Sequence, residues 1–397
     1  MGKRSGDSGF VAHKATLVNA LSRVLADRVM VGDFTVGRKG FLGYVKALAG
    51  SNIIRVIPAN AADSVSHGSG KRLKVTCGSN TSYLEDLAWV GDKTPLTLCE
   101  VRVSPNNTVK PNIGAIELSE ALNRVLPFTA RDDNRPVLQC VLFRVKEGKL
   151  TIVSADGFRL AVVKVDFDGD DGEVLINRED LRGIANALRY AKRVRVSLEK
   201  SGDSLDGMRL ILDTELIRYN WQGADGTFPD YEKLIPSQQN TLASFDTTEA
   251  IRAVSSLKVL AYAKSYPIDL TIGNGKLIMS NPDDKGQTEI PADTEGEVKV
   301  RLDGSYLAEA LRACGGMVEL KLIDGQSPML FAVDGYELVT MPMMTTDKPG
   351  PKTEATEPVA SAVAEAEAVA EAHTEAEAPT EKPKRKRSKA KEPVAVA

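Results

Sequence analysis

Leu17-Val-Asn-Ala-Leu21-Ser-Arg-Val-Leu25 and Leu118-Ser-Glu-Ala-Leu122-Asn-Arg-Val-Leu126 are two copies of one frame, LxxALxRVL, 101 residues apart. Apolar side chains at i, i+4, i+7 and i+8 share one face of an α-helix, so each copy reads as an amphipathic helix. A looser third copy, Ala250-Ile251-Arg252-Ala253-Val254, keeps the apolar positions of Ala20, Leu21 and Val24. A second helix recurs in the same order: Val36, Phe41, Tyr44 and Leu48 are matched in spacing by Ile176, Leu181, Ile184 and Leu188, and by Leu302, Leu307, Ala310 and Cys314. Each copy runs into a short β-branched stretch, at Ile53 to Ile57, Val194 to Leu198 and Val318 to Leu322. Val141 to Val145, Leu150 to Val153, Arg209 to Leu212 and Leu330 to Val333 read as further strands. The pattern predicts three copies of a two-helix, β-sheet unit. Chance similarity of short amphipathic helices is the competing explanation, because helix faces converge on similar patterns.

The copies are unequal. Leu21 to Leu48 spans 27 residues, against 66 from Leu122 to Leu188 and 63 from Ile251 to Cys314. The first copy is shorter by 36 to 39 residues, and the expected loss is the strand-rich half that follows its first helix. The part from Phe34 through the Lys71 to Cys77 and Thr81 to Val90 segments reads as retained.

At 397 residues the chain is long enough for two or three domains. Lys+Arg 51 against Asp+Glu 54 excludes a uniformly basic nucleic-acid binder. No apolar run reaches the roughly 18 residues of a membrane helix, and Met1 to Phe10 lacks a secretory signal's apolar stretch, so a cytoplasmic protein without membrane partners is expected. Cys77, Cys99, Cys140 and Cys314 form no CxxC pair, and His13, His67 and His373 stand alone. No metal, cofactor or catalytic residue is expected from that inventory. Gly6-Asp7-Ser8-Gly9 echoes a protease nucleophile segment but lacks suitably placed partners. Asp166, Asp168, Asp170 and Asp171 echo a calcium loop, but Asp171 stands where the loop needs Gly and Asn177 where it needs Glu, so a solvated turn is expected. There is no Walker A or Rossmann glycine signature.

After Met344 the composition changes. Residues 345–397 are rich in Ala, Glu, Pro and Thr and contain no aromatic residue, which reads as a disordered tail. Seven glutamates between Glu354 and Glu377 precede seven basic residues between Lys382 and Lys391. That run is suited either to holding nucleic-acid phosphates or to keeping the chain soluble.

Three further segments carry a resemblance. Ser154-Ala-Asp156-Gly157-Phe158-Arg159-Leu160-Ala161, then Gly226-Thr-Phe228-Pro229-Asp230-Tyr231 with Leu234-Ile-Pro236, then Tyr336 to Met343 ending in Met341-Pro342-Met343, resemble in order and spacing the bacterial DNA polymerase III beta subunits, the sliding clamps. The likeness covers residues 113–344 well, the first 112 loosely and the tail not at all. It implies an α+β DNA-clamp fold with three two-helix and β-sheet modules per chain, helices lining a ring and sheets outside. Expected modules are 1–112, shortened, 113–240 and 241–344, followed by the tail 345–397. Family membership implies a non-catalytic processivity factor that encircles double-stranded DNA without sequence preference as a head-to-tail homodimer. Its expected partners are a replicative polymerase and clamp-loader subunits that insert short hydrophobic peptides. The shortened first module leaves open a clamp-like adaptor that binds such peptides without encircling DNA.

Carried over by motif, the peptide groove comprises Leu138, Gly157, Phe158, Arg159, Leu160, Pro229, Leu234, Tyr306, Pro328, Val339, Met341 and Met343. Phe158 stands where the family usually has His, Ala155 where it has Thr, and Met344 where a basic residue often follows. Candidates to face DNA are Arg178, Arg182, Arg189, Lys192 and Arg193, read as one helical stripe. Arg38, Lys39 and Lys46 join them from the first copy, Arg124, Arg131 and Arg135 from the second, and Lys258 and Lys264 from the third. Ordinary solvated helix charge is the alternative for each.

Overall fold

The computed structural model describes residues 9–59, 72–91, 99–106, 108–200, 207–261, 266–283 and 285–344. Lys71, Lys264, the tail from Thr345 and most of the Gly6-Asp7-Ser8-Gly9 segment lie outside the described residues.

The described helices are α1 (Lys14–Arg23), α2 (Arg38–Ala47), α3 (Ala115–Val125), α4 (Arg178–Leu181), α5 (Ile184–Leu188), α6 (Thr247–Val259) and α7 (Gly304–Cys314). They pack in three pairs, α1 on α2, α3 on α5 and α6 on α7. Leu17, Leu21 and Val24 of the first pair are buried, as are Leu118, Leu122 and Val125 of the second. In the third pair the same i, i+4, i+7 places are taken by buried Ala250, Val254 and Leu257. Val254, not Ile251, is thus the counterpart of Leu21, and Ile251 lies half-buried on the flank. The start of α6 sets that phase: the Asp246 carboxylate accepts the Thr248 N–H at 2.6 Å. Asn177 caps α4 through the Glu179 N–H at 2.9 Å, and Asp303 caps α7 through the Ser305 N–H at 2.7 Å. Helix α3 ends where Pro127 withholds an N–H and turns the chain into a short 3-10 turn.

Among the described residues, four sheets lie against these helices. Two are four-stranded: Phe10–His13, Ile53–Pro58, Arg72–Cys77 and Asn80–Glu85 in that order, and Gln287–Pro291, Lys276–Ser280, Pro267–Gly273 and Val298–Asp303. The other two run through from one third of the folded region to the next. A nine-stranded sheet carries Gly172–Asn177, Cys140–Lys146, Lys149–Ala155 and Arg159–Asp166 of the middle third. It continues directly into Tyr336–Thr340, Met329–Val333, Met317–Leu322, Thr241–Asp246 and Asp293–Glu295. A six-stranded sheet joins Val194–Lys200, Met208–Thr214 and Ile217–Gln222 to Cys99–Val103, Arg28–Val31 and Phe34–Gly37.

The shortened first third is explained by comparing these two sheets. Phe34–Gly37 and Arg28–Val31 take the places of Gly172–Asn177 and Cys140–Lys146, so part of the half expected to be missing is present. What is absent is the counterpart of the hairpin Lys149–Ala155 and Arg159–Asp166. One strand, Cys99–Val103, stands where those two would. An antiparallel sheet alternates direction, so replacing two strands by one forces one neighbouring pair to run the same way. Arg28–Val31 and Cys99–Val103 do so, with Met30 opposite Arg102 and Val31 opposite Val103. Cys99–Val103 then pairs antiparallel with Ile217–Gln222. The outer edge of Phe34–Gly37 is covered as well: Leu87 N–H donates to the Thr35 carbonyl and Gly37 N–H to that of Ala88, both at 2.8 Å.

Candidate peptide groove and basic helix ends

The groove candidates centre on a tight turn. The Asp156 carboxylate accepts the N–H groups of Phe158 at 3.0 Å and Arg159 at 2.7 Å, closing a turn through Gly157 at φ +88. That turn drives Phe158 outward, where its ring is 50% exposed and lies 6.4 Å from the ring of Tyr306. Arg159 points inward and is 8% exposed. It donates twice to Asp156 Oδ2, at 2.9 and 2.8 Å, and once to Glu309 Oε2 at 2.5 Å. Its guanidinium lies 4.2 Å from the Tyr306 ring centre and 5.0 Å from that of Phe128. Burial works against this cation, yet Asp156 and Glu309 outweigh it and hold the Arg159 proton more firmly than usual. Since Tyr306 and Glu309 come from α7, one side chain ties the middle third to the last.

Strand pairing assembles the rest of this end. Arg159 is opposite Thr340 and Leu160 opposite Val339, and the Met341 N–H donates to the Phe158 carbonyl at 2.9 Å. Pro328 precedes Met329, which also pairs with Thr340. Phe158, Arg159, Leu160, Tyr306, Pro328, Val339 and Met341 are therefore neighbours. Met343 donates its N–H to the Arg301 carbonyl at 2.8 Å, and its side chain and that of Met344 are exposed. Leu138 is buried in a 3-10 turn, its carbonyl receiving the Ala130 N–H. Pro229 and Leu234 sit half-buried on the link after Gln222. That link is held to the middle third by Arg144, whose guanidinium lies 5.4 Å from the Tyr231 ring.

The basic residues fall into different settings. The helix read as continuous from Arg178 to Arg193 is broken: α4 ends at Leu181, Gly183 is left-handed at φ +89, and α5 ends at Leu188. The cause is a close approach, because a Cβ on Gly183 would lie 2.0 Å from Leu25 Cδ1. Arg178, Arg182, Arg189, Lys192 and Arg193 consequently do not form a single helical stripe. Arg178 and Arg182 both approach Glu179, at 3.4 and 3.2 Å. Arg189, Lys192 and Arg193 are exposed, and the Glu215 carboxylate receives the Lys192 and Arg193 backbone N–H groups.

Arg38 binds the carbonyls of Ala26 at 2.7 Å and Leu21 at 3.3 Å, securing the end of α1. Arg135 lies at the Gly157 turn, donating to the Asp156 carbonyl at 3.3 Å. Lys39, Lys46, Arg131 and Lys258 are exposed, the last 5.7 Å from the Tyr266 ring. Arg124 lies 5.3 Å from the ring of Tyr336 in the last third. Its counterpart in the repeated frame, Arg23, was not singled out, yet it stacks 3.7 Å from the exposed ring of Tyr190 in the middle third. The shared Arg of LxxALxRVL was the available signal. Nothing local marked Glu309, which reaches Arg159 only through the fold.

Among the described residues no group of three or more His, Cys, Asp or Glu is placed to hold a metal ion. All four cysteines are buried and none is in a disulfide, and burial pushes the Cys140 thiol up to about 11. Asp171 accepts the Glu147 N–H at 3.2 Å and closes a turn between strands.

Residues 112–230 match the central domain of the DNA polymerase III beta subunit. A beta sliding clamp of Synechocystis sp. is 27% identical over 234 residues, covering 54% of this chain and 59% of that protein. The crystal structure of DNA polymerase III subunit beta from Pseudomonas aeruginosa superimposes with a TM-score of 0.62 at 21% identity, covering 85% of this chain and 100% of that one. A griselimycin-bound DnaN sliding clamp from the same organism gives 0.61, at 21% identity, with 86% of this chain and 100% of that one covered. The family model and the relatives are those of sliding clamps, and the solved structures share this chain's fold. The clamp fold accounts for the α+β architecture and for sheets shared between successive thirds. In sequence, the chain spans about three-fifths of the length of the curated clamps it first matches, from 59% to 64%.

Proposed function

We propose that this chain is a non-catalytic DNA sliding clamp: two copies join head to tail around duplex DNA and hold a replicative polymerase there through the groove at Phe158. The observation that carries this reading is the threefold helix pair with sheets running through both internal junctions. Two such chains closed into a ring would retain DNA without tight local contact. The proposed modules are 1–112, 113–240 and 241–344, with the last of one copy meeting the first of the other. Supporting that contact, the two four-stranded sheets present, among the described residues, the edge strands Phe10–His13, Asn80–Glu85 and Gln287–Pro291, and Val259, 83% exposed, stands beside exposed Leu260 at the end of α6.

In this reading Arg23, Lys39, Lys46, Arg131, Arg182, Arg189, Lys192, Arg193 and Lys258 contact phosphates weakly and without sequence readout. Arg38, Arg124, Arg135 and Arg178 chiefly hold structure. The groove from Phe158 to Met343 takes hydrophobic peptides of polymerase and clamp-loader subunits, with Met side chains adapting to the guest. A cytoplasmic location follows from a role in replication. Among the described residues no helix is long and apolar enough to cross a membrane.

Loading onto a nicked circular plasmid tests the ring. Retention on the circle with release after linearisation is expected, together with a dimer in sedimentation at micromolar concentration. Peptide binding without that topological difference, from a monomer, would identify the adaptor instead.

A further inference from the structure

The two internal junctions place different side chains at one register position. In the nine-stranded sheet that position is Arg159, opposite Thr340, and its guanidinium fills the space beside α7 between Tyr306 and Phe128. In the six-stranded sheet the corresponding pair is Cys99 opposite Trp221. A thiol is too short to occupy what a guanidinium occupies. A cavity of about 110 Å³ remains, lined among others by Leu25, Cys99, Asp180, Ile184, Tyr219 and Trp221. The rings of Tyr219 and Trp221 are stacked 5.6 Å apart at 11° and give it an aromatic wall.

Two polar groups on this cavity are unmet. Trp221 is 1% exposed, and its indole N–H has no hydrogen-bond partner among the described residues. Asp180, placed by repeat spacing where Tyr306 stands at the other junction, is half-buried and has no hydrogen-bond or ion-pair partner among the described residues. Asp180 lines the cavity, and burial, then Glu179, raises its pKa. Of the lining cations, Arg23 stacks on Tyr190 and Arg182 pairs with Glu179. An anionic guest would bring its charge against the carboxylates of Asp180 and Glu179, which both line the cavity. A purely apolar guest would leave both the indole N–H and the half-buried carboxylate without a hydrogen-bond partner.

The matching guest is flat and neutral, with a carbonyl to accept from Trp221 and an N–H to donate to Asp180. We propose that this cavity binds a primary carboxamide, either the side chain of a glutamine or asparagine in a partner protein or a small free amide. A cavity of about 150 Å³ admits benzene, so a three-carbon amide suits the smaller volume here.

Trp89 and Trp221 are the two tryptophans of the chain, so Trp89→Phe assigns the remaining indole resonance. The full-length protein, labelled with 15N-tryptophan, is titrated with propionamide, with propionate, and with blocked tripeptides carrying a central Gln or Glu. A saturable downfield shift of the Trp221 indole N–H with propionamide, absent with propionate, is expected. Asp180→Ala should weaken it about tenfold, and Cys99→Arg, which refills the space, should abolish it. Cys99→Met, an uncharged filler, serves the same purpose if the Arg variant does not fold. Saturation by the Gln peptide at a concentration at least about tenfold lower than propionamide identifies a protein side chain as the guest; propionamide binding without that gain identifies a free amide. An indole resonance unmoved by every compound, or moved equally in the filled variants, overturns the proposal.

Discussion

The junction between the first and middle thirds and the junction between the middle and last are built from the same helix pairs and edge strands, yet they solve different problems. At the second, the hairpin Lys149–Asp166 supplies an arginine that pairs with two carboxylates and stacks on two rings. At the first, that hairpin is replaced by a single strand, the ladder turns parallel, and a thiol opposite Trp221 leaves a cavity. The sheet survives losing two strands because the ladder needs only some strand to satisfy its edge. The interior is less forgiving, since one side chain cannot fill the volume of another.

Arg159→Ala attacks the sharper side of that contrast. It strands Asp156 and Glu309 at the packed junction and should cost about 3–5 kcal/mol in urea unfolding. Cys99→Ala at the matching position should cost less than about 1.5 kcal/mol, because the cavity beside it already exists. Equal losses would erase the distinction. Gly183→Ala comes next: it combines a left-handed backbone with a collision against Leu25 and should destabilise by about 2–3 kcal/mol. Gly157→Ala shares the strained φ but meets only the end of the Arg135 side chain. About 1–2 kcal/mol is expected there, and a loss exceeding that of Gly183→Ala would mean Arg135 is held rigidly.

The smallest effect lies in pH dependence. Burial and Glu179 raise the folded-state pKa of Asp180 above its unfolded value of about 3.9. Folding therefore favours its protonated form, and its contribution to stability declines as pH rises from about 4 through the folded pKa. Asp180→Asn should flatten that decline and leave the protein slightly more stable at neutral pH. Urea midpoints across the acid range check it, and an unchanged slope would show that Asp180 is solvated rather than confined at the first junction.

Much of this was legible beforehand. The two strong LxxALxRVL copies and the 5, 3, 4 spacing of the second helix identify the three pairs, because amphipathic periodicity survives wherever a helix must bury one face. The third copy was misphased at Ile251, since small residues such as Ala250 serve a tight interface without announcing themselves. The Asp156-Gly157-Phe158-Arg159 turn was legible because its hydrogen bonds are local. The helical stripe from Arg178 to Arg193 was not, because the break at Gly183 answers to Leu25, far away in the chain.

By itself, then, the sequence determined what neighbouring residues decide among themselves: helix faces, caps, the turn at Gly157, and the number of repeats. Only the tertiary structure decided which strand bridges the shortened third, that Glu309 completes the Arg159 pair, that Arg135 reaches the Asp156 carbonyl, and that Cys99 leaves a space beside Trp221. Those are contacts between distant segments. Their energies depend on volumes and charges that meet only after the sheets have closed.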